Sequence, residues 1–323
     1  MTPLVNEELA TLSDQLTLVA VLLYLVAMIC FALDLAFGRI HPASAVKARE
    51  PVAVGAGGGG PSSGEPGEAA AAGGAATAEG APWAAKAGLA GIALTWIGWA
   101  AHLAAIVTRG LAVDRWPWGN MYEFVVGLCL AAVTAFLVLL FRHRIRFLGA
   151  FVTLAAALGL GFAVLFLHVQ AGPLMPALQS YWLAIHVSAA IVASGLFTVA
   201  GVSAILYLVR KDRPSVLPTR EALDTVVHRA IVIGFPIWTF AVIAGALWAD
   251  RAWGRYWGWD PKEVWSFITW VVYAAYLHAR ATAGWKGKAA IIISLVAFAC
   301  LLFNLIGVNI FFPGLHSYSD IPR

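Results

Sequence analysis

The chain has 323 residues, 61% of them hydrophobic and 12% charged, with a mean hydropathy of +0.81. A soluble domain carries about 25% charged residues, so the composition excludes a soluble protein and describes an all-α integral membrane one. The formal net charge of +4 is no nucleic-acid signature, because most of the 21 Lys and Arg residues sit in loops between apolar stretches, where they set orientation.

Eight apolar stretches are each long enough to cross roughly 30 Å of hydrocarbon, which predicts a polytopic helical bundle. The first covers 16–37. It has no basic run before it and no small-residue cleavage site behind it, so it reads as a retained helix and not a signal peptide. Residues 41–82 follow, with the run Gly57-Gly58-Gly59-Gly60-Pro61-Ser62-Ser63-Gly64 and an Ala/Gly/Glu tract. They have almost nothing to bury and read as a disordered cytoplasmic linker between an N-terminal helical segment, 1–40, and a seven-helix domain, 83–323. The spans of that domain are predicted at 84–108, 122–141, 147–168, 182–209, 230–249, 264–283 and 289–312, with a short surface helix over 219–229. Basic residues concentrate after spans one, three, five and seven. The positive-inside rule therefore puts both termini and the loop 250–266 outside. Cys30, Cys129 and Cys300 fall inside spans and read as packing residues. No CxxC or CxxCH is present, which excludes a thiol oxidoreductase and a covalently attached haem on this chain.

The densest chemistry lies between spans six and seven. Trp253, Tyr256, Trp257, Trp259 and Trp265 share fourteen positions with Gly254, Gly258, Asp260 and Glu263. Asp260-Pro261-Lys262-Glu263 reads as a helix start, with Asp260 the N-cap, Pro261 at the first helical position and Glu263 closing a capping box. That places Trp257 and Trp259 in an extended segment ahead of the helix and Trp265 on its first turns. Interfacial tryptophans commonly form an aromatic belt, but a belt needs no glycines. Four tryptophans around two glycines suit a platform for a planar ligand. The outer loop holding Trp116, Trp118, Gly119, Asn120 and Glu123 repeats this chemistry, either as a turn with a belt or as a second wall of one pocket.

Of the eight histidines, His41, His143 and His228 lie at basic ends of spans and read as solvated or snorkelling side chains. His186, near the outer end of span five, and His316, beyond span eight, fall on the same side as the Trp loop. Two imidazoles beside an aromatic platform suit axial ligation of a haem iron, the alternative for each being a hydrogen-bonded interfacial side chain. His278 lies thirteen residues past Trp265 on the same helix, roughly 20 Å deeper at about 1.5 Å per residue, and needs a separate reason. His102 and His168, toward outer span ends, are candidates for supporting groups.

Trp257-Gly258-Trp259-Asp260 with its flanks resembles the WWD signature of haem-handling membrane proteins. Asn120-Met121-Tyr122-Glu123, Tyr181 to Val187, Tyr276 to Arg280 and Gly314 to Tyr318 narrow the resemblance to the CcsA/ResC family, also called CcsB, of the system II cytochrome c synthase. It extends over roughly 84–318. The resemblance implies that His186 and His316 ligate haem b externally, with Trp118, Asn120, Trp253, Trp257, Trp259, Asp260, Glu263 and Trp265 around it. It implies that His278 is an intramembrane histidine accompanying haem, whose partner lies on a ResB-type subunit. It further implies apocytochrome c as partner, a thioredoxin-like thiol reductant, and a multi-pass location in the plasma membrane. Two alternatives stand beside this one: a haem-delivery protein serving a separate chaperone, and a secondary transporter or quinone-binding subunit, which often shows inverted repeats. No such repeat is evident.

Overall fold

The computed structural model describes residues 5–38, 81–142, 145–211, 217–282 and 284–316. The bulk of the expected linker, His41, His143, Ser317 and Tyr318 lie outside them.

The described residues form eight long helical stretches and no strand. They are α1 (Glu7–Phe37), α2 (Pro82–Ala112), α3 (Met121–Arg142), α4 (Gly149–Phe162), α5 (Tyr181–Val209), α6 (Arg220–Trp253), α7 (Pro261–Ala281) and α8 (Lys288–Leu302), with a one-turn α9 (Val308–Phe311) continuing α8. Seven stretches are long and apolar enough to cross a membrane. The eighth, α7, is more amphipathic because Lys262, Glu263, His278 and Arg280 share it with apolar residues. Wide π turns extend α4 over Ala163–Leu167 and join α8 to α9 over Phe303–Gly307. Such turns open the regular backbone ladder and often mark functional positions.

Three boundaries differ from the sequence reading. Capped by Asn6, α1 starts at Glu7 and not at 16. The expected surface helix over 219–229 is not separate. Thr219 caps a single helix of 34 residues that runs through Pro236 to Trp253. The polar residues of its first turns suggested a break, but nothing between Arg220 and Pro236 interrupts the backbone hydrogen bonds. Trp253 consequently lies in the last turn of α6 and not in a loop.

The first helix packs closely on the others. Ser13 donates to the Ala105 carbonyl at 2.8 Å, Tyr24 meets the His102 ring nitrogen at 3.3 Å, and Arg146 pairs with Asp34 at 2.8 Å. Each contact occupies a polar group that lipid cannot satisfy. His102 is fully buried, and its second ring nitrogen lies 3.0 Å from the Val126 carbonyl, so both nitrogens are engaged in packing α1, α2 and α3.

One end of the bundle gathers the start of α5, the end of α6, the start of α7 and the residues after α9. His186, His316, Trp253 and Trp257 meet there.

Candidate functional site

The sequence builds the corner between α6 and α7 in three steps. First, α6 ends at Gly254, which adopts a left-handed φ of 69° and returns its amide to the Asp250 carbonyl. A side chain is disfavoured in that conformation. Gly254 thus acts as a helix terminator, and a Cβ there would meet nothing within 4 Å. Second, Asp260 caps α7, accepting from the Lys262 amide at 3.0 Å, and Glu263 completes the expected capping box. Third, the Glu263 carboxylate accepts from the amides of Gly258 at 2.8 Å and Asp260 at 3.0 Å. It therefore spans Trp259, whose φ of 57° is left-handed and not extended as expected. A bulky residue in that region costs of order 1–3 kcal/mol and persists only when its surroundings hold it.

Asp260 does more than cap. Its second oxygen accepts from the Leu315 amide at 2.6 Å, and the His316 Nδ1 lies 2.9 Å from its first. Burial pushes the Asp260 carboxyl up, but the bond from His316, the Leu315 amide and the other donors outweigh it and hold the group below the ordinary carboxylate range. An ionised carboxylate only accepts, so His316 carries its proton on Nδ1.

His186 reaches the same tautomer by another route. Its Nδ1 lies 2.7 Å from the Ala241 carbonyl, which has no proton to give. Gly245 makes room for the ring. A methyl group there would meet the imidazole Cε1 and Nδ1 at 2.7 Å each. In both rings Nδ1 is spent on the protein, and neither Nε2 has a hydrogen-bond partner among the described residues. Fixing one nitrogen so that the other presents its lone pair is how proteins orient metal-binding histidines.

The two rings line one cavity with Trp257, Lys262, Glu263 and Asn304. Trp248 joins them from behind, stacked on His186 with centroids 6.0 Å apart and edge-on to His316 at 5.6 Å. Trp253 packs edge-on against His316 at 5.0 Å. Two larger cavities in the bundle, of about 440 and 950 Å³, carry no imidazole.

The remaining sequence candidates lie around this centre or away from it. Trp259 is 69% exposed and meets Trp257 edge-on at 5.7 Å. Trp265 packs on Phe303 at 4.3 Å beside the π turn and does not line the cavity. Asn120 accepts from the Glu123 amide at 2.9 Å, as an N-cap of α3. Trp118 packs in the apolar cluster of Leu183, Val187 and Trp248 that backs the cavity. His168 is 3.1 Å from Asp14, at the margin of a network in which Glu123 pairs with Arg109 at 3.0 Å and Arg115 at 2.9 Å. His278 is exposed on α7, and the His278 ring has no partner among the described residues.

Trp248, Lys262 and Asn304 were not among the sequence candidates. Lys262 did carry a signal: a cation in the first turn of a helix opposes the positive end of the helix dipole, so its presence there calls for another reason.

Residues 118–316 match the family model described as "Cytochrome C assembly protein". The chain belongs to that family. Among proteins named "Cytochrome c biogenesis protein CcsA", the one from Trieres chinensis is 35% identical over 65% of this chain and 80% of its own length. Its counterpart from Chlamydomonas reinhardtii is 38% identical over 66% of this chain and 64% of its own length. That from Gloeobacter violaceus is 34% identical over 66% and 81%. Among solved structures, a protein titled "Cytochrome c Heme Lyase CcmF" aligns with a TM-score of 0.57 at 17% identity, covering 94% of this chain and 47% of that one. This chain thus spans about half the length of that structure, and the likeness concerns the fold. The matched family segment contains the whole of the His186–His316 corner.

Proposed function

We propose that this chain is the haem-handling subunit of a membrane cytochrome c synthase. It binds haem b as substrate between His186 and His316 at the outer face of the plasma membrane and supports its attachment to apocytochrome c. The observation that carries this reading is the matched state of the two imidazoles: each is held through Nδ1, has no partner on Nε2 among the described residues, and lines the same cavity. Membership of the cytochrome c assembly family and the relatives named for cytochrome c biogenesis support it.

The cavity encloses about 100 Å³. Sites for small molecules usually offer roughly 300–1,000 Å³, so the donor set suits the iron while the space does not yet suit the macrocycle. Admitting haem requires the cavity to widen, and among its lining residues Tyr256 and Trp257 lie outside the helices. Attachment then needs no oxidant: each CxxCH thiol adds S–H across one vinyl group. The protein contributes position and axial ligands. His278, outward-facing on α7, suits a second, deeper contact with haem shared with a ResB-type subunit, and a thioredoxin-like reductant is the further partner of this scheme.

The test is the absorption spectrum of the full chain purified from membranes, co-expressed with a ResB-type subunit. The wild type should show a bis-imidazole haem spectrum, and the His186→Ala/His316→Ala variant should lose it. An unchanged spectrum in that variant would overturn the assignment.

A further inference from the structure

Lys262 is the unexplained charge of this corner. Its ammonium donates to the Asn304 carbonyl at 3.0 Å and to Asn309 Oδ1 at 3.1 Å, both of them neutral oxygens. An ammonium has three N–H donors, so one is left over. Among the described residues no carboxylate forms an ion pair with it. The two nearest in sequence are engaged elsewhere: Asp260 takes His316 and the amides of Lys262 and Leu315, while Glu263 takes the amides of Gly258 and Asp260. Lys262 is half-buried, and Asp260 favours its charge only through space; a cation with no carboxylate bonded to it is costly in such a place, and here it stands against the helix dipole as well.

A second orphan lies beside it. Asn304 is 2% exposed and spends its amide N–H on Ser266 Oγ at 3.0 Å, while its Oδ1 is buried with no partner. Asn304 lies in the π turn between α8 and α9, and its carbonyl accepts from Lys262. Both residues line the cavity that holds His186 and His316. The unspent donor of Lys262 on this wall describes a subsite for a carboxylate, which only accepts, while the Asn304 oxygen, itself an acceptor, calls for a donor such as a bound water.

We infer that the remaining N–H of Lys262 receives a carboxylate of the bound ligand, and that Lys262 is thereby a specificity-determining residue that selects a macrocycle bearing free propionates. This rests on the proposed haem reading of the site. The carboxylate would supply the missing counter-charge, and its anchoring would fix which edge of the ring faces inward. The vinyl-bearing edge, opposite the propionates, would then be the one left for the incoming thiols.

The experiment compares protohaem with its dimethyl ester, in which both carboxylates are capped, on the purified full chain. Wild type should bind the free acid about tenfold more tightly, as for one charge-assisted contact. Lys262→Met should remove that preference while keeping the bis-imidazole spectrum. Lys262→Arg should keep most of it. Equal affinities of wild type for the two haems would overturn the inference without needing any variant to fold, and so would a Lys262→Met protein that still discriminates. Loss of the haem reading itself registers separately, as a spectrum indifferent to His186→Ala/His316→Ala.

Discussion

Asp260 and His316, fifty-six residues apart, are joined at 2.9 Å, and the same carboxylate caps α7. One side chain therefore couples the start of a helix to the orientation of an imidazole. Asp260→Ala should lose both. Haem affinity should fall by about 10–100-fold, the usual effect of removing a group that orients a metal ligand, and thermal stability should fall by about 1 kcal/mol for the lost cap. Asp260→Asn, which can still cap, should keep most of the stability while weakening haem binding. Haem titration and thermal unfolding of the two variants separate the roles; equal haem affinity in all three proteins would refute the coupling.

On the opposite side of the cavity, Gly245 leaves space that the His186 ring fills. Gly245→Ala should favour the helix by up to about 1 kcal/mol on propensity, yet its methyl group would displace the ring and break the bond to Ala241. The expected protein melts no lower than wild type and binds haem at least about tenfold more weakly. A substitution that strengthens the scaffold and weakens the site distinguishes ligation from packing, and a bis-imidazole spectrum of full intensity would count against His186 as a ligand.

What was legible in the sequence was local. The Asp260–Glu263 capping box depends on residues three apart and formed as read. The spans depend on runs of apolar residues and were found within a few positions at most ends. Features that depend on distant partners were not legible. Trp248 becomes part of the site because α6 continues unbroken to Trp253 and stacks it on His186 from another helix. Trp259 adopts its left-handed backbone because a carboxylate four residues later bonds the amides on both sides of it. Asn120 and Trp118 shared the composition of the Trp loop, yet their nearest partners are an α3 amide and an apolar cluster, since composition does not say which way a loop faces.

Glu263 gives a direct handle on the Trp loop. Glu263→Ala removes the acceptor for the Gly258 and Asp260 amides, and leaving such groups unsatisfied costs about 1–3 kcal/mol. Amide exchange at these two positions should rise well above wild type, while exchange in the middle of α7 changes little. If the two amides stay protected in Glu263→Ala, then something other than this carboxylate holds Trp259 in place. Glu263→Gln, which keeps an oxygen acceptor, should fall between.

Glu123 tests the neighbouring loop as scaffold. Its side chain is 1% exposed, with Arg109 at 4% and Arg115 at 10%, and it also accepts from the Gly119 amide at 2.7 Å. Arg109 in turn bonds the Val169 carbonyl and Arg115 the Gly172 carbonyl, so one carboxylate ties α2 and α3 to the segment after α4. Glu123→Gln leaves Arg115 without its counter-charge and Arg109 with only the more exposed Asp14 at 3.5 Å, and breaking a buried pair in this way costs about 3–5 kcal/mol. Thermal unfolding should therefore shift markedly downward. No part of this network touches the cavity between His186 and His316, so the protein that does fold should bind haem with wild-type affinity and spectrum. A haem defect in folded Glu123→Gln would instead place the Trp118–Asn120 loop in the binding site.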